Sequence, residues 1–292
     1  MKKIAVITNF NIPEKAEAAL SVADKLHELG REVYVASFNR ERIHRNSKGV
    51  KRDYLNYIPM DKLFSVAELI IPLGGDGTIL EVARRAVPAG KPMLGFNLGR
   101  VGFMAELEIN ELDRLEDVIN GRFELDERML LKVELLDKDR KSTLVTFALN
   151  DAVISNGSVA RIVDLVLYEN GVEVSSYRAD GMIVATPTGS TAYSMSAGGS
   201  IVDSRVSCIC VTPICPHSLV SRPFIFPDDA EIEIKNVCQR ENVLFLTLDG
   251  KSNYEIAYGD IVKVTKLNLY AKLVRLKDND FYNRFRAKMI SN

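Results

Sequence analysis

The sequence predicts an α/β domain with a parallel sheet, followed by a second domain that is nearly all β. Three observations predict it. In the first half, short apolar runs alternate with amphipathic segments of helical period, the pattern of strands covered by helices. From about residue 128 the helical period gives way to strand-length runs separated by polar turns. Within that second half, Asn170-Gly171 stands between two such runs, a strong hairpin signal because both residues tolerate positive φ.

In order, Ile4 to Thr8 reads as a short apolar strand. Pro13 suits a first helical turn, and Ala16, Ala19, Leu20, Ala23 and Leu26 recur at helical spacing until Gly30 ends the run. Val33 to Phe38 is the next strand, Leu69 to Leu73 another, Thr78 to Ala86 a helix and Met93 to Phe96 a further strand. Asn110 is expected to cap a helix ending at Gly121. MLLKVELLDKDRKSTLVTFALNDAVI reads as two strands around a polar turn at Asp137 to Lys141. Short strands follow at Ile201 to Val211, Ala230 to Lys235, Leu244 to Leu248 and Ile261 to Leu267. Asp280 to Met289 reads as a basic amphipathic helix.

A chain of 292 residues makes one large domain or two of medium size. Hydrophobic residues at 47 % and charged ones at 26 % can build a substantial core. The formal net charge of −1 supplies no basic field for nucleic acid or an acidic membrane. The run from Arg40 to Arg52 is interrupted by Glu41 and polar residues, and is expected to be a solvated loop or helix face. The opening MKKIAVITNF is too short for a membrane span and lacks a signal-peptide cleavage site, so a cytoplasmic protein with reduced cysteines is expected. Cys208, Cys210, Cys215 and His217 lie close together. A one-residue spacer within a strand suits a zinc knuckle poorly, so Cys208 and Cys210 are expected as small buried residues on one strand face.

Three segments carry chemistry. In IIPLGGDGTILEVARRA (70 to 86) a strand ends in a glycine turn before a helix, and the free N–H groups of a helix start attract phosphate. Neither G-x-x-x-x-G-K-[ST] nor a G-x-G-x-x-G after the first strand is present. Asp76 in that turn is a carboxylate at neutral pH and repels phosphate unless a metal ion or a proton-donating hydroxyl offsets it. Its alternative is a plain helix N-cap. In YRADGMIVATPTGSTAYSMSAGGSIVD (177 to 203) small hydroxyl residues around Gly189 make a polar turn, and Tyr193 either offers a face to a purine or sits in the core. In ALNDAVISNGS (148 to 158) Asn150 and Asp151 end a strand, where they either hold sugar hydroxyls or shape a turn.

GGDGT, then LND, then RADGMIVATPTGSTAYSMSAGG, in this order and spacing, closely resemble the NAD kinase family. The resemblance extends to NLGRVGFM (97 to 104), TPICPHSLVSRPFIFP (212 to 227) and LDGK (248 to 251), covering most of the chain after residue 69. GGDGT alone is shared with phosphofructokinases and diacylglycerol-type lipid kinases; the Thr-Gly-Ser-Thr-Ala-Tyr run discriminates.

The resemblance implies an α/β domain over 1–127 bearing the GGDGT loop, a β-sandwich NAD-binding domain over 128–275, and a C-terminal segment, 276–292, returning to the first domain. It implies a kinase that phosphorylates the adenosine-ribose 2′-hydroxyl of NAD to give NADP in the cleft between domains. The donor is ATP, another nucleotide or polyphosphate, with a divalent cation, Mg²⁺ being the expected ion. The assembly is a homodimer or homotetramer. Asp76 becomes the catalytic carboxylate and Gly77 lines the same turn. Asn150 and Asp151 hold ribose hydroxyls, Asp151 standing where the family more often has Glu. Thr191 reads the adenine edge and Tyr193 lies against its ring. Asp180, Ala192 and Ser196 contact the nicotinamide end, and Arg178 reaches toward a neighbouring subunit's site. Asn97 and Phe103 fall near the adenine pocket. His217 lies in a matching motif without an assigned role. No residue is assigned as a dedicated metal ligand.

Overall fold

Lys3–Ile7 is apolar enough to be buried on both faces, as a central parallel strand requires, and in the computed structural model it forms β1. The structure describes the chain apart from residues 100–101, 158–161, 219, 240–242, 277–280 and 291–292, and apart from the side chains of 288–290. Two compact units divide it: Met1–Glu127 with Ala271–Asn292, and Arg128–Tyr270.

In the first unit β1 is followed by α1 (Pro13–Glu28), β2 (Glu32–Ala36), α2 (Arg40–Asn46), β3 (Leu55–Ile58), α3 (Met60–Val66), β4 (Leu69–Gly74), α4 (Asp76–Ala86), β5 (Phe96–Asn97), β6 (Leu107–Glu108) and α5 (Leu115–Ile119). Pro13 opens α1, whose buried face includes Ala16, Ala19, Leu20, Ala23 and Leu26. Gly30, at φ 72°, closes it: its N–H donates to His27 O and that of Arg31 to Leu26 O, the pair of bonds that stops a helix through a left-handed residue.

The six strands form a parallel sheet in the order β3-β2-β1-β4-β5-β6. From β1 the chain steps outward to β2 and β3, then returns to build the other half from β4. Such an order has its switch point between β1 and β4, outside whose carboxyl ends open α/β sheets bind ligands. The Thr8 hydroxyl at the end of β1 donates to the carbonyl of Leu73 at the end of β4, over 2.9 Å, tying the two ends together.

The second unit continues with β7 (Glu124–Leu136), β8 (Ser142–Ala148), β9 (Asp151–Ser155), β10 (Val163–Glu169), β11 (Val172–Ala179), β12 (Gly181–Ala185), the short α6 (Tyr193–Ser196), β13 (Cys208–Ile214), β14 (Phe224–Pro227), β15 (Ile232–Asn236), β16 (Val243–Leu248), β17 (Ser252–Ala257) and β18 (Ile261–Arg275). Two six-stranded sheets result, β11-β10-β15-β18-β7-β8 and β14-β13-β12-β9-β16-β17. Alternate residues of both, such as Leu131, Val133 and Val262 from one and Ile154, Val184 and Leu246 from the other, share one apolar core, so the unit is a β-sandwich. Asn170 and Gly171 turn the β10–β11 hairpin at φ 49° and 79°, the doubly left-handed turn expected of that pair. The second sheet buries its other face too, where Cys208 and Cys210 pack with Val202, Ile183 and Ala185.

The chain then re-enters the first unit. Met93 N–H donates to Lys272 O and Val274 N–H to Met93 O, and α7 (Phe281–Ile290) follows. Asp280, the expected start of that helix, lies outside the described residues, as do Arg100 and Val101 of NLGRVGFM and Leu219 of the 212 to 227 segment.

Several elements differ from expectation. Met93 makes only isolated bridges, and strand pairing resumes at Phe96. Asn110 caps nothing: a 3-10 turn, Ile109–Arg114, begins after Glu108, whose N–H donates to the Glu111 carboxylate, and the α-helix starts only at Leu115. The strand expected from Ile201 begins at Cys208, because Asp203 turns the chain by accepting the Arg205 N–H and pairing with its guanidinium. The Arg40 to Arg52 run is as expected, a largely exposed helix, α2, and loop, with buried Ile43 as the anchor of the helix.

Candidate active site

A first candidate site grows from β4. Leu69–Gly74 is buried along its whole length and delivers the chain to the switch point. A Cβ on Gly74 would lie 2.3 Å from the Thr78 hydroxyl, so only glycine permits the tight entry into α4. Gly75 and Gly77 use no left-handed backbone. Asp76 is the first residue of α4, not its N-cap; Gly75 holds that place. The N–H groups of Asp76 and Gly77, in the first turn, lack an intrahelical acceptor by geometry, the arrangement with which helix starts bind anions.

The Asp76 carboxylate is held by a strap from NLGRVGFM. Phe103 N–H donates to Oδ2 at 3.0 Å and Met104 N–H to Oδ1 at 3.1 Å. Gly102 lets the strap come this close, since a Cβ there would meet Oδ1 at 2.3 Å. Two oxygens offer about four acceptor sites, so the carboxylate is fixed in direction yet can still accept a hydroxyl proton. The Phe103 side chain is buried and faces the ring of Phe281 at a centroid distance of 6.0 Å. Asn97 donates through Nδ2 to Gly99 O, while its Oδ1 is buried without a donor among the described residues. Asn97 and Gly102 border a cavity of about 510 Å³ in this unit, shared with Glu106 and Arg284.

A second candidate site lies wholly in the sandwich, where three motif segments converge on Asn150. Thr186 donates its N–H to Asn150 O at 2.9 Å and its hydroxyl to Leu149 O at 2.6 Å. Gly189 sits so near that a Cβ would be 2.0 Å from Asn150 O. From the other side the Asp249 carboxylate accepts the N–H groups of Leu149, Asn150 and Asp151, with 2.7 Å to Asn150. Asp249 and Gly250 reach that position through a left-handed turn at φ 48° and 70° between β16 and β17.

Asn150, Asp151, Ala192, Tyr193, Thr247 and Asp249 line a cavity of about 400 Å³. Tyr193 is 46 % exposed and therefore belongs to the cavity edge, not the core. Asn150 Oδ1 is buried without a donor among the described residues, a polar atom that a ligand hydroxyl would satisfy. Asp151 is 4 % exposed. Burial first, and the Asp249 carboxylate second, push its carboxyl up to about 7.

Thr191 is buried, with its hydroxyl donating to Thr188 O. Ser196, at the end of α6, is exposed. Arg178 and Asp180 sit at the end of β11, where exposed Arg178 pairs with Asp164 at 3.3 Å and its carbonyl accepts the His217 N–H; none of these four residues lines the cavity. Sequence reasoning left out Asp249, Thr247 and Gly102. The LDGK motif held the signal for Asp249: an Asp-Gly turn closing a hairpin. Among the described residues no group of three His, Cys, Asp or Glu side chains is arranged to hold a metal ion.

An α/β unit with a glycine turn and helix N-terminus at its switch point, in one chain with a sandwich that carries a tyrosine-edged polar cavity, marks an enzyme that handles a phosphorylated nucleotide. Two family profiles match the chain: the ATP-NAD kinase N-terminal domain over residues 4–123 and the ATP-NAD kinase C-terminal domain over residues 149–276. It is 39 % identical over 291 residues to the NAD kinase of Caldanaerobacter subterraneus subsp. tengcongensis, covering 99 % of each chain. It is 36 % identical to that of Moorella thermoacetica, covering 99 % of this chain and 89 % of the relative. Yeast NADH kinase, solved as a complex with NADH, superposes with a TM-score of 0.90 at 30 % identity, covering all of this chain and 88 % of the other. An NAD kinase from Archaeoglobus fulgidus, solved with ATP, shares the fold with a TM-score of 0.74 at 24 % identity and full coverage of both chains. The chain belongs to the NAD kinase family and is a phosphotransferase.

Proposed function

We propose that this chain transfers the γ-phosphoryl group of ATP to the 2′-hydroxyl of the adenosine ribose of NAD, giving NADP, with Asp76 as the general base. The observation that carries the reading is the Asp76 carboxylate itself, oriented by two backbone N–H groups beside the open first turn of α4. A carboxylate so placed suits a sugar hydroxyl, whose proton it accepts as the oxygen attacks phosphorus in line. ATP is favoured as donor by the description of the matched family, ATP-NAD kinase.

On the sandwich, the orphaned Asn150 Oδ1 and the Asp151 carboxyl suit ribose hydroxyls, and exposed Tyr193 suits the flat face of adenine. We assign Thr191 to the adenine edge, Asp180, Ala192 and Ser196 to the nicotinamide end, and Arg178 to a neighbouring subunit's ligand in a homodimer or homotetramer. Gly77, Asn97 and Phe103 are read as neighbours of the Asp76 site. The domain roles follow: 1–127 supplies the phosphoryl-transfer loop, 128–275 the NAD-binding surface, and 276–292 supports the first domain. A divalent cation, Mg²⁺ in this reading, would arrive on the donor's phosphates and screen their charge. Four free cysteines, two with sulfurs 3.9 Å apart, suit a reducing cytoplasm. Among the described residues no helix is long and apolar enough to cross a membrane.

The test is NADP formation by the purified chain from NAD, ATP and Mg²⁺. Asp76→Asn is expected to lower kcat by about 10²- to 10⁴-fold, the range of general-base catalysis. No NADP from any phosphoryl donor, or wild-type kcat in Asp76→Asn, contradicts the reading.

A further inference from the structure

The strap that holds Asp76 has its own support, and it comes from the far end of the chain. Residues 102–106 belong to no long strand, so their backbone groups must find other partners. Two amides, of Phe103 and Met104, go to the Asp76 carboxylate. The carbonyls face two guanidinium groups. Arg275 donates to Met104 O at 3.1 Å and Phe103 O at 3.4 Å, and Arg284 donates to Ala105 O at 2.8 Å and Phe103 O at 3.4 Å.

Both arginines also converge on one carboxylate. Glu106 closes the strap, its side chain wholly buried, and pairs with Arg275 at 3.1 Å and with Arg284. It also accepts the Leu276 N–H at 3.0 Å, and Arg275 extends the cluster to Asp126 at 3.0 Å. Burial alone would raise the Glu106 carboxyl; the two arginines and the Leu276 amide outweigh it and hold it below the usual range. From the same helix as Arg284, the Phe281 ring packs on Phe103. A fork that grips carbonyl and carboxylate together is what guanidinium geometry allows and a single ammonium does not.

We infer that Arg284 of α7, acting with Arg275 through Glu106, is a positioning residue for the phosphoryl transfer: it fixes the 102–106 strap, and the strap fixes the Asp76 carboxylate. In this proposal the C-terminal helix acts on the reaction through the strap. This rests on the reading of Asp76 as the base, and displacement of a catalytic group by about 1 Å can cost 10²-fold in rate.

The experiment uses the full-length enzyme and measures steady-state NADP formation with NAD and Mg²⁺-ATP, with a melting curve for each variant. Arg284→Ala is expected to lower kcat about 10- to 100-fold while KM for NAD and for ATP stay within about threefold, since the lost quality is aim and not binding. Arg284→Lys, which keeps the charge on Glu106 but not the fork, should fall between wild type and Arg284→Ala. In an Asp76→Asn background Arg284→Ala should cost less than about threefold more, because two residues acting through one carboxylate are not additive. The proposal is overturned if Arg284→Ala keeps kcat within about twofold of wild type, or if its loss is equally large with Asp76→Asn. Should Arg284→Ala fail to fold, Arg284→Lys is judged in both backgrounds by the same criteria. Wild-type kcat in Asp76→Asn alone would fell the site reading first; an impaired Asp76→Asn beside an unimpaired Arg284→Ala fells only the positioning role.

Discussion

Asp249 and Asp151 line the same cavity of the sandwich, and the negative charge of Asp249 adds to burial in keeping the Asp151 carboxyl up at about 7. Asp249 accepts three backbone N–H groups, of Leu149, Asn150 and Asp151, whereas Asp151 is enclosed. Asp151 is thus built to titrate near neutrality.

That pair gives a pH signature. In the unfolded chain Asp151 loses its proton near its ordinary value of 3.8, while in the folded chain it holds the proton up to about 7. The native state thus binds more protons across that window, so stability falls as pH rises from about 4 to about 7 and levels off above. Asp151→Asn, neutral throughout, should melt together with wild type near pH 4 and above it at pH 8. About 4 kcal/mol is an upper bound on the difference. Thermal melts from pH 4 to 8 check this; a gap independent of pH contradicts it.

Gly102→Ala offers a way to disturb Asp76 without removing it. The added methyl would meet Oδ1 at 2.3 Å and must push the carboxylate aside. We expect kcat to fall at least about tenfold, with a melting temperature close to wild type because the carboxylate is only part-buried. Unchanged kcat in a folded variant would show that the strap does not govern the carboxylate.

Tyr193→Ala separates binding from chemistry. The ring is 46 % exposed, so its loss leaves the core intact. Stacking on a base is worth about 1–3 kcal/mol, and KM for NAD should rise roughly tenfold with a smaller loss of kcat. Initial rates against NAD concentration decide it; an unchanged KM removes Tyr193 from the adenine site.

Gly189→Ala tests the convergence on Asn150. No side-chain rotation relieves a Cβ 2.0 Å from a backbone carbonyl, so the 186–190 turn or the 149–151 strand end must move. A loss of about 1–3 kcal/mol is expected, together with weaker NAD binding. Denaturant melts and NAD titration measure both, and a stable variant that binds normally refutes the close packing.

What could be read from the residues follows burial. Central strands such as Leu69–Gly74, buried at each position, and α1 with its apolar stripe stand out because packing imposes their period. The strands that escaped notice, β3, β6, β14 and β17, all lie at sheet edges, where burial touches only one or two residues and leaves little pattern. The motif glycines were legible as turns, but not as contacts: that Gly102 borders Asp76 and Gly189 borders Asn150 depends on partners 26 and 39 positions away.

The sequence by itself determined the kinds of element, the change from α/β to β near residue 128, and the family, because local propensity, periodicity and ordered motifs are properties of short stretches. Only the tertiary structure decided that Asp249 seals the Asn150 turn, that Tyr193 lies at a cavity edge, and that Arg275 and Arg284 hold the strap over Asp76. Each of those joins groups remote in the chain, and a buried polar atom's need for a partner does not reveal which distant residue will meet it.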